Sequence, residues 1–453
     1  MEVKEILEYV KNHASRKVKI AFTDIDGILR GKYISVDKFL SVVESDTSFC
    51  NVIFGWDVAD TAYDNSSFTG WHSGYPDATA RLDLSTFRKI PWENEIPFFL
   101  GDFIPENNQP VVCPRQLLKK VLADTVSAGF LPIFSQEFEW YNFAETPQSV
   151  QDKQFRNLQP LTPGMFGYSI LRSSLQQDFM NDLFGLLSSF GIPIEGLHTE
   201  TGPGTYEAAI SYSDILEAAD RAVLFKTAVK EIAYRHGIMA TFMAKVSEHL
   251  PGCGGHVHQS LWDADRKKNL FHDEKDPQKM SETMKQYLAG QLHLIPMLLP
   301  LFAPTINSYK RLVEGAWAPT TLTWGMDNRT VALRVLSASG RKNACRLETR
   351  VIGSDVNPYL AMAGALAAGL YGIKKKLKLE KAATTGNGYL DESNGRVPTT
   401  LAEATIRMKE SEVAREILGS YFVDHFTRTR EWEWRQHLKA VTDWEFKRYF
   451  EII

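Results

Sequence analysis

The pattern of apolar and polar residues changes several times along the first 110 positions. Residues 2–15 repeat apolar side chains at the spacing of one helix face, which predicts a helix. Between residue 18 and Asp26-Gly27, apolar and polar residues alternate, and apolar residues resume after the glycine. This pattern predicts a β-hairpin with a glycine turn. Strand-like runs at 51–58 and 97–104 complete the prediction of a small, mostly β domain.

The remainder of the chain mixes short β runs with long helical stretches. A polar segment from Glu106 to Pro110 separates the two patterns and marks a domain boundary. The sequence therefore predicts a small domain at 1–108 and a large mixed α and β domain at 109–453. Helices of the large domain are expected at 115–128, 173–190, 213–237, 277–301, 358–377 and 401–418.

Composition narrows the classes of function. The chain has 453 residues, enough for two domains, because single cores stop growing below roughly 300 residues. A net charge of −4 gives no electrostatic reason to expect a nucleic acid or an anionic membrane as partner. Four widely spaced cysteines and an N-terminus without a secretory or transit pattern suit the cytoplasm. The longest apolar stretch, around 292–304, contains three prolines and is too short to span a membrane.

Three segments place acids, histidines or arginines at a spacing of two. In a strand, alternate residues point to the same face, so each segment projects its charged side chains together. Taken singly, each is weak evidence: Glu-x-Glu is more often a solvated face, and Arg-x-Glu-x-Arg is usually a salt-bridge ladder. The residues concerned are Glu137 and Glu139, His256 and His258, and Arg346, Glu348 and Arg350.

A fourth segment strengthens the case for a metal site. Glu200 and Glu207 flank a glycine-proline turn, which allows both carboxylates to converge on one centre. Five glutamates and a histidine are then candidate ligands, and an oxygen-rich set suits magnesium or manganese. Arginines crowded into residues 311–350 indicate an anionic substrate and phosphate groups, without a Walker loop.

In order along the chain, these motifs resemble the glutamine synthetase superfamily, type I. The motifs are the glycine-turn acids, the Gly-x-Gly-x-His-x-His-x-Ser run ending at Ser260, Asn-Ser-Tyr-Lys-Arg-Leu at 307–312, Asn-Arg-Thr at 328–330 and Arg-x-Glu-x-Arg. The resemblance implies an α+β fold, with a β-grasp N-terminal domain and an antiparallel-rich α/β half-barrel catalytic domain. It also implies a homo-oligomer, a dodecamer of two stacked hexameric rings.

The resemblance further implies roles for individual residues, with ATP and two or three Mg²⁺ or Mn²⁺ ions as cofactors. One metal is expected at Glu139, Glu200 and Glu207, and another at Glu137, His256 and Glu348. Glutamate is expected at Gly252, Arg311 and Arg350, and Arg329 is expected to steady the transferring phosphoryl group. ATP contacts are expected at Glu195, Tyr212, His258, Ser260, Arg334 and Arg346.

The sequence departs from ammonia-using members where the amine is expected to bind. Those members have a proton-accepting glutamate before Ala-Pro, and this chain has Trp317 there. A second ammonium-site position, usually tyrosine, is Met165, whereas Asp64 is retained on a loop expected to enter a neighbouring subunit's site. Two large apolar groups in place of an acid favour an amine that carries carbon. Among such enzymes, the chain most resembles the γ-glutamyl-amine and γ-glutamylpolyamine synthetases.

Three alternatives remain open at this point. The chain could be a true glutamine synthetase that uses ammonia, or a non-catalytic structural relative resembling lengsin. The run from Phe22 to Gly27 also mimics the Asp-x-Asp-Gly nucleophile motif of haloacid-dehalogenase phosphatases. That motif requires a following parallel-sheet domain, whereas here it lies in a predicted hairpin.

Overall fold

A computed structural model describes residues 1–105, 112–337 and 341–453. The predicted domain boundary at 106–110 lies outside these residues.

A six-stranded sheet and two helices form the N-terminal part. The strands are β1 (Lys17–Thr23), β2 (Leu29–Ser35), β3 (Thr47–Cys50), β4 (Asp77–Leu82), β5 (Arg88–Ile90) and β6 (Ile96–Phe103). Their order is β2-β1-β6-β4-β3, and β5 pairs with β6. The helices α1 (Val3–Asn12) and α2 (Val36–Ser45) turn their apolar faces toward the sheet and share one core with it.

The expected hairpin is confirmed, since β1 and β2 pair antiparallel along their whole length. The predicted strand at 51–58 is wrong. Residues Asn51–Phe54 form a 3₁₀ turn, and the strand β3 precedes it. The adjacent side chains of Ile53 and Phe54 are both buried, which a tight turn permits but the alternating pleat of a half-exposed strand does not.

A nine-stranded, antiparallel-rich sheet forms the centre of the larger part. Its strands are β7 (Leu131–Phe143), β8 (Ile194–Thr199), β9 (Thr205–Ile210), β10 (Ser213–Asp214), β11 (Met239–Thr241), β12 (Val257–Trp262), β13 (Trp324–Met326), β14 (Leu333–Leu336) and β15 (Arg346–Thr349). The order is β13-β14-β15-β12-β7-β9-β8, with β10 and β11 also paired to β7. The long strand β7 therefore joins both halves of the half-barrel.

Helices cover this sheet and complete the larger part. They are α3 (Pro114–Ser127), α4 (Pro147–Asp152), α5 (Ile170–Leu175), α6 (Gln177–Ser189), α7 (Ile215–Arg235), α8 (Glu282–Phe302), α9 (Ser308–Arg311), α10 (Pro358–Lys374), α11 (Leu401–Glu410), α12 (Glu412–Leu418), α13 (Ser420–Lys439) and α14 (Asp443–Tyr449). The α+β fold class is confirmed. Among the described residues, no helix is long and apolar enough to cross a membrane.

Three helix predictions need correction. The helix expected at 173–190 is interrupted at Gln176, whose backbone angles are not helical, so its first residues belong to α5 and the rest to α6. The helix expected at 277–301 begins only at Glu282, because the Ser281 side chain caps it by accepting a hydrogen bond from the Met284 N–H. The single helix expected at 401–418 is two helices, because Ser411 has extended backbone angles and caps α12 by accepting from the Ala414 N–H. The helix α13 had no counterpart among the predicted elements.

Buried polar side chains tie the two parts together. The guanidinium of Arg115 donates to Asp220 on α7 (2.8 Å) and to Asp102 on β6 (2.9 Å). The Asn357 side chain at the start of α10 donates to the backbone oxygen of Asp24 in the hairpin turn (3.1 Å). Asp24 is thus buried in a hairpin against the large part, and not at the end of a strand of a parallel-sheet phosphatase domain.

Small residues allow α8 and α10 to pack closely behind the sheet. A Cβ built on Gly290 of α8 would lie 2.8 Å from the Cα of Gly372 and would clash with the backbone oxygen of Ala368, both on α10. These neighbours are backbone atoms, which cannot rotate away as a flexible side chain can. The close approach therefore requires glycine at position 290.

Gly290→Ala should lower the free energy of unfolding by about 1–3 kcal/mol, because the added methyl overpacks the contact between α8 and α10. The matched control is Gly185→Ala on α6, where a Cβ would meet no atom within 4 Å. That change should leave stability unaltered or raise it by up to about 1 kcal/mol, since alanine favours the helix. Urea denaturation followed by circular dichroism measures both, and equal effects of the two changes would contradict the packing account.

Candidate active site

Strand register brings the predicted site residues together on one face of the nine-stranded sheet. Glu139 on β7 lies directly opposite Glu207 on β9. His258 on β12 lies opposite Glu348 on β15, and Glu348 lies opposite Arg334 on β14. Because directly paired residues project to the same side, five neighbouring strands contribute to one charged surface.

The two histidines contact Glu137 from either side. Nδ1 of His256 lies 2.7 Å from Oε1 of Glu137, and Nε2 of His258 lies 3.4 Å from Oε2. An Arg311 nitrogen donates to Nε2 of His256 (3.3 Å), so the proton of a neutral His256 belongs on Nδ1, facing the carboxylate. Burial alone would raise the pKa of Glu137, but His258 and His256 lower it well below its ordinary value.

Glu348 is held between two guanidinium groups at the centre of this surface. Its side chain is fully buried, Arg334 donates to Oε2 (3.0 Å) and Arg350 donates to Oε1. Burial acts to raise the pKa of Glu348, but Arg350 and the histidines lower it below the usual value. The carboxylate is therefore ionised at neutral pH, and its charge is already balanced by the protein.

In the part of the chain that the structure describes, the other carboxylates of this surface form no ion pair with an arginine. Glu139 accepts the Gly254 N–H (2.8 Å), and Glu200 accepts the Thr201 N–H (2.9 Å). Burial and the nearby charges of Glu137 and Glu139 raise the pKa of Glu207 to about 7. Burial and the same neighbours also raise the pKa of Glu200. Glu200 and Glu207 therefore ionise less readily than ordinary carboxylates.

These donors suit a hard divalent cation. Glu137, His258 and Glu348 each offer a ligand atom, and the three atoms lie within 4.8 Å of one another. The resemblance assigns His256, not His258, to this set. His256 also lies close, with Nδ1 3.4 Å from Oε1 of Glu348. Carboxylate oxygens with a single imidazole fit Mg²⁺ or Mn²⁺, and a cation would relieve the repulsion that raises the pKa values of Glu200 and Glu207.

Arg311 and Gly252 form a tight corner next to the carboxylates. Arg311 is almost completely buried and donates to the backbone oxygens of Val351 and Arg350, each at 3.2 Å. A Cβ on Gly252 would lie 2.6 Å from Cγ of Arg311 and 2.6 Å from the oxygen of Ala244. The loop can approach the arginine only because residue 252 is glycine.

An open cleft of about 620 Å³ lies beside the turn that carries Arg329. Trp317 and Met326 provide apolar walls, and the loop 383–386 closes the far side. The backbone oxygen of Arg329 accepts from Arg350 (3.1 Å), which ties this turn to the charged surface. The Trp317 side chain is 60 % exposed, and its backbone is left-handed, with φ of 57°. Met165 lies on a different loop and is not among the residues that line the cleft.

The remaining predicted residues lie at different distances from this surface. Ser260 is buried on β12 and accepts from the indole of Trp262 (3.0 Å), and Arg346 donates to Nδ1 of His258 (3.2 Å). Glu195 is exposed at an irregularity in the pairing of β8 with β9, and Tyr212 is also exposed.

Asp64 is not brought to the charged surface of its own chain. It is exposed and forms an ion pair with Arg435 on α13, with Nη1 3.0 Å from Oδ2. The hydrogen bond from Arg435 lowers the pKa of Asp64, so it is ionised at neutral pH.

Two residues in the site were given no role from the sequence. His198 on β8 contacts Oε1 of Glu207 through Nε2 (3.1 Å), and the ring of Tyr168 stacks on it at 4.4 Å. Burial alone would lower the pKa of His198, but Glu207 raises it to about 8. The position of His198 two residues before Glu200 was a usable signal for the histidine. The sequence contains no comparable signal for Tyr168.

Comparison with known proteins agrees with this geometry. Residues 111–449 match the family model described as glutamine synthetase, catalytic domain. A Dictyostelium discoideum protein named type-1 glutamine synthetase 2 is 56 % identical over 99 % of this chain and 86 % of its own length. A Pseudomonas glutamate–isopropylamine ligase is 38 % identical over 100 % of this chain and 98 % of its own. A solved structure of a GmaS/ADP complex superposes with a TM-score of 0.84 and 27 % identity, covering 98 % of this chain and 99 % of that one.

Removal of one carboxylate from the unbalanced end should weaken metal binding. Glu139→Ala should raise the dissociation constant for Mn²⁺ by at least ~10-fold, because it deletes a ligand from a charged set. The control is Glu44→Ala, which removes an exposed carboxylate from α2. Isothermal titration with Mn²⁺ should show weaker binding for Glu139→Ala and unchanged binding for Glu44→Ala. Circular dichroism should show an intact fold for both variants. Unchanged affinity and stoichiometry would contradict the assignment.

Proposed function

The chain belongs to the glutamine synthetase family of ATP-dependent ligases, and from that premise we propose that it joins the γ-carboxylate of glutamate to an organic amine. The observation that carries the proposal is the indole of Trp317, exposed along the cleft beside Arg329. An indole cannot accept a proton from ammonium, whereas its face attracts alkylammonium groups and its area favours carbon substituents.

The relatives support both possible nitrogen substrates. The Pseudomonas relative is named for isopropylamine, a branched organic amine, and this agrees with an apolar amine site. The Dictyostelium relative is named a glutamine synthetase, and its identity to this chain is higher. Use of ammonia is therefore the second candidate. A non-catalytic, lengsin-like role is set aside, because these relatives are named as enzymes and the acids and imidazoles still converge here.

Each charged group has a proposed place in the reaction. Arg311, Arg350 and the backbone at Gly252 hold glutamate, and Arg329 steadies the phosphoryl group in transfer. ATP lies against Glu195, Tyr212, His258, Ser260, Arg334 and Arg346. Two or three Mg²⁺ or Mn²⁺ ions bind at two sets of ligands. One set is Glu139, Glu200 and Glu207, and the other is Glu137, His256 and Glu348. Bound divalent ions would supply charge stabilisation for the phosphate oxygens.

The proposed chemistry proceeds in two steps. The γ-carboxylate of glutamate attacks the γ-phosphorus of ATP, ADP leaves, and an acyl phosphate forms. The amine loses a proton to Asp64 or a neighbouring carboxylate, attacks the activated carbonyl carbon, and expels phosphate. The segment from Glu314 to Trp317 borders the cleft and would exclude water from the acyl phosphate.

The proposal includes domain organisation and assembly. A β-grasp domain at 1–108 precedes a catalytic domain at 109–453, and twelve subunits form two stacked hexameric rings. Within a ring, Asp64 reaches the active site of the next subunit. Its exposure and its distance from the charged surface of its own chain support this arrangement.

An amine panel tests the proposed substrate class. With glutamate, ATP and Mg²⁺, an alkyl, polyamine or aromatic amine should give a higher kcat/KM than ammonium, because each methylene buried against Trp317 contributes ~0.8 kcal/mol, or about fourfold. Trp317→Glu should shift the ratio toward ammonium and leave the KM for ATP unchanged. Phe184→Glu, an exposed aromatic on α6, is the control and should leave the ratio unchanged. A wild-type preference for ammonium over every amine would favour the second candidate.

A complementation experiment tests the shared site. Asp64→Ala and Arg311→Ala proteins should each be inactive, and co-assembly at equal amounts should restore about one quarter of the wild-type activity, since a quarter of the sites become native. Mixing Glu139→Ala with Arg311→Ala is the control and should restore none, because both residues belong to the same subunit's surface. Mixed oligomers that form, as shown by two affinity tags, but remain inactive would contradict the sharing of Asp64.

A further inference from the structure

Lys245 is a buried lysine beside the corner formed by Arg311 and Gly252. Its backbone is fixed by Asn307, whose Oδ1 accepts from the Lys245 N–H and whose Nδ2 donates to the Lys245 oxygen, both at 2.8 Å. Asn307 is the residue immediately before the short helix α9, which carries Arg311. The two cationic residues therefore belong to segments held in fixed relation to each other.

The neighbouring loop is packed against the same segments. The oxygen of Ala244 accepts from the Cys253 N–H (2.8 Å), and Gly252 has no room for a Cβ between Ala244 and Arg311. Residues 244–245, 252–253 and 311 thus form one compact corner.

This corner contains two buried cationic residues, and among the described residues the charged neighbours of Lys245 include no carboxylate. Lys245 is 8 % exposed and Arg311 is 3 % exposed. Within the described parts of the chain, neither forms an ion pair with a carboxylate. The carboxylate charges that act on Arg311 are those of Glu139 and Asp355. Oδ2 of Asp355 accepts hydrogen bonds from the hydroxyl groups of Thr305 and Ser308.

Burial of unpaired like charges is costly, because each loses hydration and repels the other. Burial, followed by the charge of Arg311, lowers the pKa of Lys245. An anion supplied from outside the chain would reverse both costs. Lys245 adds a compact point charge beside the planar guanidinium of Arg311, and such a pair of cations suits a small carboxylate.

We propose that Lys245 is a further substrate-binding residue, which acts with Arg311 to bind the α-carboxylate of the amino-acid substrate. The inference rests on the proposed function, which places glutamate at Arg311. It adds a specificity element: an acid that lacks a free α-carboxylate leaves Lys245 without an anionic partner and binds poorly. The γ-carboxylate stays free to reach the phosphoryl group.

Lys245→Met tests the inference, since methionine keeps the length and removes the charge. The KM for glutamate should rise about tenfold or more, as expected for loss of one charged hydrogen bond, with little change in the KM for ATP. Lys245→Arg should recover most of the affinity. The control is Lys226→Met. Lys226 is a half-buried lysine, but its ammonium donates to the Val356 oxygen (2.9 Å). It packs over Phe138, on the face of β7 opposite Glu137 and Glu139.

The α-methyl ester of glutamate, used as a competitor, identifies the group that Lys245 contacts. Esterification should weaken binding strongly in the wild-type protein and much less in Lys245→Met, since the lost partner is already absent. Equal penalties in both proteins, or an unchanged glutamate KM in Lys245→Met, would overturn the inference. If the methionine variant does not fold, Lys245→Gln provides the same comparison, and an ATP-induced thermal shift reports folding. Failure of the wild-type protein to use glutamate at all would instead refute the proposed function.

Discussion

Repulsion between carboxylates on one face of a sheet governs the rest of this site. Glu137, Glu139, Glu200, Glu207 and Glu348 converge there, and they cannot all be ionised without positive charge among them. At one end of the site, the protein itself balances the negative charge. Arg334 and Arg350 form ion pairs with Glu348, and two imidazoles contact Glu137. At the other end, the described residues in hydrogen-bond contact with the carboxylates are backbone N–H groups and His198. Burial, and after it the charges of Glu137 and Glu139, raises the pKa of Glu207 to about 7, and a bound divalent cation would offset both effects.

The scaffold makes this concentration of charge possible. A thirteen-residue strand, β7, carries Glu137 and Glu139 on one face, and its other face packs Phe138 and Trp140 into the core. Hydrogen bonding to β9 and β12 then fixes Glu207 and the histidines in register. The energy for holding like charges together comes from the apolar side of the same strands. The contact of α8 with α10 behind the sheet belongs to that support.

The sequence predicted those parts of the structure that depend on local periodicity. A spacing of two identified the strands that carry Glu137, His258 and Glu348, and alternation around Gly27 identified the first hairpin. Prediction from periodicity failed where tertiary packing determines the local structure. At Asn51–Phe54, for example, two adjacent apolar residues are both buried. The tie of Asn328 to the loop 384–386, and the stacking of Tyr168 on His198, join residues far apart in the chain. No local pattern encodes such contacts. Lys245 was missed for the same reason, since its meaning depends on its position beside Arg311, which is distant in the chain.

Activation of glutamate by phosphorylation, before the amine attacks, is the central step of the proposed reaction. The most direct test is transfer of oxygen-18 from the γ-carboxylate of labelled glutamate, with ATP, Mg²⁺ and ethylamine, and with ammonium excluded. The account predicts that each turnover transfers one labelled oxygen to inorganic phosphate and leaves the other in the γ-glutamyl amide. Mass spectrometry of both products measures this. Amide formation with unlabelled phosphate would contradict the account.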